Sequence, residues 1–119
     1  MTGKKQAAGK QAGPRMTIPT QLVLHLLLDD PTRELYGVEI GDGTGLASGT
    51  VHPILARLEG RGWLDSRWEE IDPTVAGRPA RRYYRLTADG VEAAQQALAG
   101  AYRAKRRRHR LGPPIADQP

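Results

Sequence analysis

The chain has no cysteine among its 119 residues. This excludes a disulfide framework and any zinc site built on thiolates, and it fits a reducing, cytosolic compartment. Long apolar runs are missing as well. The longest, Leu22 to Leu28, is interrupted by His25 and falls far short of the ~20 residues of a membrane span. The opening MTGKKQAAGKQAG is basic but has no apolar stretch behind it, so it does not read as a secretory signal. No internal repeat is visible. His25, His52 and His109 lie too far apart for metal-ligand spacing. No grouping of nucleophile, base and orienting residue is apparent. The expectation is therefore a protein that is not an enzyme and has no cofactor, no metal and no membrane partner.

Acidic residues are absent from two segments near the ends. Residues 1–15 carry four Lys/Arg and no acid, and RAKRRRHR, Arg103 to Arg110, carries six Lys/Arg. Residues 16–102 hold eight Arg against twelve Asp/Glu, a balance of −4 inside a chain of formal charge +5. Net charge therefore cannot argue for a nucleic-acid partner; only a local arrangement of cations can. The length allows one domain with tails, and an apolar content of 39% allows a small core.

Apolar spacing places the elements. Thr20, after Pro19, stands as N-cap of a short helix over about Gln21 to Leu28, which Asp29-Asp30-Pro31 ends. A second short helix starts near Glu34 and carries Leu35, Val38 and Ile40. Gly41-Asp42-Gly43-Thr44-Gly45 makes a turn. That stretch follows a helix and has no Lys-Ser/Thr after it, so it is not a phosphate-binding loop. A third helix runs from about Gly49 to Gly60 with Ser48 as N-cap, and Gly60 and Gly62 stop it. Trp63 to Ile71 and Arg81 to Leu86 read as strands flanking the loop Asp72 to Ala80, a hairpin with a long tip. Thr87 caps a last helix, in which Val91, Ala94, Leu98 and Ala101 form a seam. Three short helices followed by a two-stranded ribbon make the winged helix-turn-helix arrangement, whose third helix is placed to enter a DNA major groove.

That third helix has an uneven character. Val51, Ile54, Leu55 and Leu58 fall at i, i+3, i+4 and i+7, one core face. Its front, Ser48-Gly49-Thr50, is small and polar, and Pro53 sits in the second turn. Small residues let a helix end approach a duplex, hydroxyls can meet bases or phosphates, and first-turn N–H groups suit a phosphate oxygen. Pro53 removes the bond to Gly49 and should bend the helix. Arg57, one turn on and off the apolar face, can reach the backbone. Taken alone, Ser-Gly-Thr is an ordinary helix start. The ribbon strengthens the DNA reading: Gly77 to Arg85 holds four Arg and no acid, Pro79 stiffens its tip, and arginines there can enter a minor groove or clamp phosphates.

The residues Leu35-Tyr36-Gly37-x-Glu39-Ile40, Gly45-Leu46-x-Ser48-Gly49-Thr50-Val51-x-Pro53-x-Leu55-x-Arg57-Leu58-Glu59-x-x-Gly62-Trp63-Leu64, Gly77-Arg78-Pro79 and Arg82-Tyr83-Tyr84-Arg85-Leu86-Thr87 together resemble the PadR-type phenolic-acid repressor family. The resemblance covers about Ile18 to Leu98. It implies a homodimeric winged-helix regulator, usually a repressor, whose C-terminal helix supplies most of the dimer contact. In some members small aromatic ligands release the DNA. Two departures stand out. The family usually has Tyr where this chain has His52, an imidazole of a kind that titrates near neutrality. The C-terminal helix is short and alanine-rich, with Tyr102 its only aromatic, so a small aromatic effector finds little support there.

The expected organisation is a disordered basic arm over 1–15, a winged helix-turn-helix DNA-binding domain over 16–87, a C-terminal dimerisation helix with a basic end over 88–110 and a disordered tail over 111–119. The expected partner is double-stranded DNA, bound by a cytoplasmic, nucleoid-associated homodimer at an inverted-repeat operator. Its contacts are assigned to Tyr36, Ser48, Gly49, Thr50, His52, Pro53, Arg57, Arg78, Pro79, Arg81, Arg82 and Tyr83. The alternative is a winged-helix protein–protein module without specific DNA binding, which the acidic balance of residues 16–102 allows. His25 is expected to be packed or half-buried and Trp63 to join the core; Trp68 could line a dimer contact or a ligand cleft. Glu69, Glu70 and Asp72 are expected to be solvated charges. The Arg103 to Arg110 run reads as a solvated helix end, a non-specific DNA-binding segment or a site for an acidic partner.

Overall fold

The computed structural model describes residues 13–111, Leu111 by its backbone alone. The arm up to residue 12 and the tail from residue 112 lie outside the described residues. The part of the expected arm that is described is not free of the domain, since Pro14 is buried.

The first helix, α1, spans Ile18–Asp29 and begins earlier than the sequence suggests. Its N-cap is Thr17, whose Oγ1 accepts the Thr20 N–H at 3.3 Å. Pro19 lies inside the first turn, where a missing N–H is harmless, so it does not mark the boundary. Thr20 is buried, its hydroxyl bonded by that of Thr17 at 3.0 Å. Val23, Leu24 and Leu27 form the inner face. His25, expected to be packed, is exposed: it lies off that face.

The expected helix from Glu34 is instead a strand and then a helix. Leu35–Tyr36 form β1, and α2 runs Gly37–Thr44. The strand exists because of a distant partner, Leu35 pairing with Tyr84 and Tyr36 with Tyr83, which no local periodicity announces. The Glu39 carboxylate accepts the Tyr36 N–H at 3.1 Å and closes the start of α2. Gly41 and Gly43 stay helical rather than turning the chain, because α2 is tightly seated. A Cβ on Gly43 would lie 2.9 Å from Leu26 Cδ2. Gly45, at φ 78°, ends the helix.

The third helix, α3, spans Ser48–Gly60 without interruption at Pro53, and its N-cap is Ala47. Ser48, expected to cap it, is the first helical residue. Then come β2 (Leu64–Trp68), the single turn α4 (Pro73–Ala76), β3 (Arg82–Leu86) and α5 (Ala88–Leu111). The two strands are shorter than expected, and the long tip contains α4, capped by Asp72, which accepts the Thr74 N–H at 3.0 Å. The sheet is antiparallel and three-stranded, in the order β1-β3-β2, so the ribbon has one strand more than the sequence suggests. Val51, Ile54, Leu55 and Leu58 of α3 are buried with α1, Leu35, Ile40, Leu64 and Leu86 in one core. No helix among the described residues is long and apolar enough to cross a membrane.

A polar joint fixes α5. Thr87 accepts the Gly90 N–H on Oγ1 at 2.8 Å, the expected cap, and the same hydroxyl donates to the Gly62 carbonyl at 2.8 Å. Its N–H donates to the Trp63 carbonyl at 2.9 Å. From this joint Ala94 enters the core, while Val91 and Leu98 pack against it half-buried. The seam read from the sequence therefore serves this chain's own core. Trp63 also packs there, partly buried.

Candidate nucleic-acid interface

Burial divides α3 cleanly. Its four apolar residues face inward, whereas Ser48, Gly49, Thr50, His52, Pro53, Ala56 and Arg57 are all exposed. No side chain caps the first turn. A Cβ on Gly49 would meet nothing within 4 Å, and the residue has no positive φ. Glycine inside a helix costs about 0.5–1 kcal/mol relative to alanine. Nothing among the described residues requires a glycine at position 49.

The sheet links this helix to the wing. Pairing sets Leu64 opposite Leu86, Ser66 opposite Tyr84 and Trp68 opposite Arg82. By strand alternation these pairs share the face turned to α3. Glu59 of α3 meets that face twice: it accepts from the Ser66 hydroxyl and stands 3.6 Å from the Arg82 guanidinium. Arg82 also lies over the Trp68 ring, 5.0 Å from its centre. The opposite face carries an alternating stack. Arg81 sits 4.2 Å over Tyr36, Tyr36 meets Tyr83 edge-on at 5.6 Å, and Arg67 lies 5.1 Å over Tyr83. Tyr36 precedes Gly37, and a Cβ on Gly37 would lie 3.0 Å from His52 Cε1. A continuous path therefore runs from the front of α3 through His52, Gly37 and Tyr36 to Arg81 on the ribbon.

Of the residues assigned from sequence, His52, Tyr36, Arg81 and Tyr83 lie along this path, and Arg82 reaches α3 through Glu59; Ser48, Gly49, Thr50, Pro53 and Arg57 lie on the exposed side of α3. Arg78 is not a free cation at the tip. It makes a bidentate pair with Glu69, at 2.8 and 3.0 Å, and bonds the Pro79 carbonyl at 3.2 Å. Glu69 also accepts the Arg81 N–H at 3.2 Å. Only 17% of its side chain is exposed, so the expectation of a solvated charge is corrected: Glu69 ties the tip shut, and Asp72 caps α4. Glu70 is exposed. Arg57, by contrast, is exposed, and its side chain makes no ion pair or hydrogen bond among the described residues. Sequence reasoning missed Glu34, Glu59 and Glu69 as partners of Arg67, Arg82 and Arg78. The hairpin register carries part of that signal, since one step beyond Trp68 and Arg82 sets Glu69 against Arg81.

The pairing has a consequence in acid. Hydrogen bonds from Arg78, aided by the Arg81 backbone, pull the Glu69 carboxyl from its ordinary 4.5 down to about 2. A depressed carboxylate stabilises the fold at pH above its ordinary value and loses that effect as pH falls. The wing should therefore loosen between pH 4.5 and about 2. Glu69→Gln should remove that part of the acid dependence. Acid titration of Trp68 fluorescence, the exposed indole at the ribbon's end, checks this: the parent shows a transition that the variant lacks.

Residues 23–96 match the transcriptional regulator PadR-like family. The chain belongs to that family. This PadR-like protein is accordingly a DNA-binding transcriptional regulator. Solved structures similar to it include a PadR family transcription regulator from Clostridium difficile R20291, at 21% identity and TM-score 0.61, covering 80% of this chain and 98% of that one. The PcaV transcriptional regulator of Streptomyces coelicolor is similar at 30% identity and TM-score 0.60, covering 87% and 69%. BpsR of Bordetella bronchiseptica, whose DNA binding is regulated by 6-hydroxynicotinic acid, is similar at 20% identity and TM-score 0.59, covering 88% and 75%. No curated protein matches the PadR-like chain by sequence.

Proposed function

We propose that two copies of the chain act as a repressor by setting their Ser48 to Arg57 surfaces into successive major grooves of an inverted-repeat operator, about 34 Å apart. The observation that carries this is the bare, exposed front of α3, where nothing among the described residues lies within 4 Å of a Cβ at Gly49. Thr50 and Ser48 would meet base edges or phosphates, and His52 and Pro53 would lie along the groove wall. Arg57 would bind the backbone. Arg81 and Arg82 would hold the flanking strand, with Tyr36 beneath Arg81 and Tyr83 bracing Tyr36 edge-on. Arg78 and Pro79 would shape the tip rather than supply charge.

The second copy has apolar surface to cover. Ile18 and Leu22 on α1 are exposed at 65% and 39%, and they lie one turn apart on one face. A homodimer that buries them beside α5 accounts for both. For a small aromatic effector there is less support. Tyr102 stands 61% exposed, with Arg106 over its ring at 5.9 Å, and the open cleft it lines among the described residues is shared with Lys105, Arg106, His109 and Arg110.

Thr50→Ala should change which duplex is preferred, and Arg57→Ala should weaken selected and mixed-sequence duplexes alike. The arginine variant should also lower the salt slope by about 0.9 for each phosphate that Arg57 neutralises in the parent complex. Gel shifts on both duplexes over a salt series read this out. If both variants bind both duplexes as the parent does, the assignment to α3 is wrong. The pairing of Arg67, Arg78 and Arg82 with the chain's own acids favours the second reading, a protein–protein module. That reading gains if the parent shows no affinity for mixed-sequence duplex even at low salt.

A further inference from the structure

The end of α5 takes no part in the core or in the surface formed by α3 and the ribbon. From Tyr102 to Arg110 every residue except Ala104 is exposed, so the last two turns project from the domain. Arg103, Arg106, Arg107 and Arg110 recur there at i, i+3, i+4 and i+7, one face of the helix. Gly90, Ala94 and Leu98 mark the side that packs inward. Ala101 continues that side, and Arg103, two residues on, is turned about 200° from it. The arginine stripe thus points away from the packed side and stays open when that side is occupied. None of the four makes an ion pair among the described residues, and only Arg106 has a neighbouring ring, that of Tyr102.

Such a stripe is unfavourable by itself. Like charges three and four residues apart destabilise a helix, and the helix dipole compensates only in the final turn. A polyanion of matching spacing relieves the repulsion. The stripe is about 10 Å long at 1.5 Å per residue, and that length of duplex axis carries about six phosphate charges. A membrane surface fits less well. An interfacial helix needs a broad apolar face with Trp, Phe or Leu, and the side opposite the stripe has Ala101, Ala104, Lys105 and Arg108.

We infer that the Arg103, Arg106, Arg107 and Arg110 stripe is a second DNA-binding surface, which grips the phosphate backbone without regard to sequence. It deepens the proposed function, on which the choice of DNA over other polyanions rests. The test uses the full chain with all four residues changed to Gln, all four changed to Lys, and the parent. Each is titrated against mixed-sequence duplex over a salt series. The Gln variant should lose up to about 3.6 from the salt slope per protomer engaged, so a fourfold rise in salt costs the parent about 150-fold more affinity than the variant. The Lys variant should keep the parent slope. Helix content by circular dichroism should be equal in all three. Equal slopes for parent and Gln variant overturn the inference. So does a difference that appears with phosphatidylserine vesicles or polyglutamate and not with duplex. The outcome is separable from the reading of α3: a Thr50→Ala variant with unaltered site preference counts against α3, whatever the stripe does.

Discussion

Gly90→Ala is expected to destabilise the domain by about 3 kcal/mol or more, a large share of a total that is commonly about 5–15 kcal/mol. A Cβ at Gly90 would lie 2.0 Å from the Trp63 carbonyl oxygen, 2.7 Å from its carbon and 2.9 Å from its Cα. All three are backbone atoms at the start of the hairpin, so no rotamer change relieves the overlap. The helix α5 would have to move away. Movement breaks the Thr87 joint, whose bonds to Gly62, Trp63 and Gly90 are worth about 1 kcal/mol each. Overpacking adds about 1–3 kcal/mol. The gain in helix propensity, about 1 kcal/mol, is smaller than this cost. Urea unfolding followed by far-ultraviolet circular dichroism measures the outcome. An unchanged or raised midpoint would mean that α5 does not rest on Trp63 as described.

Gly49→Ala should do the opposite to stability and harm function. Its Cβ enters open space, so α3 should gain about 0.5–1 kcal/mol from the better helix former. Affinity for a selected DNA site should fall on the order of tenfold, the cost of one poorly matched contact of about 1–3 kcal/mol. The divergence is the informative part. A folding defect lowers both quantities, and a solvated surface position with no partner leaves binding alone. Only a position kept small for an external surface moves the two in opposite directions. Paired measurements, a urea midpoint and a Kd at fixed salt, decide among the three cases.

What is legible in the sequence follows physical range. The four buried residues of α3 repeat at helical spacing, so its inward face can be read directly. Thr87 sits at a junction of periods, and its capping role is readable for that reason. The cap at Thr17 escapes local reading because Thr20 has the same capping chemistry, and the start at Ala47 escapes it because alanine is a poor cap beside Ser48 and no side chain caps that turn. The two-residue β1 cannot be seen, since its only signal is pairing with Tyr83 and Tyr84, far along the chain. The roles of the ribbon arginines are blurred for the same reason. Arg78, Arg82 and Arg67 look free in the sequence, but Glu69, Glu59 and Glu34 reach them from other elements. A tip as long as Asp72 to Ala80 leaves the hairpin register open, and without the register those partners cannot be named. The path from the front of α3 through Gly37 to Arg81 is likewise beyond local reading, because its members come from α3, α2, β1 and the ribbon, which only the folded chain brings together.

Amide chemical shifts of the isotope-labelled chain, followed as a duplex selected from a random pool is added, test the placement of the binding face most directly. The largest changes should fall on Ser48, Gly49, Thr50, His52 and Arg57, with a second group at Arg81 and Arg82, while the inward residues of α3 move little. Changes concentrated instead around Ile18 and Leu22, with the front of α3 silent, would contradict it.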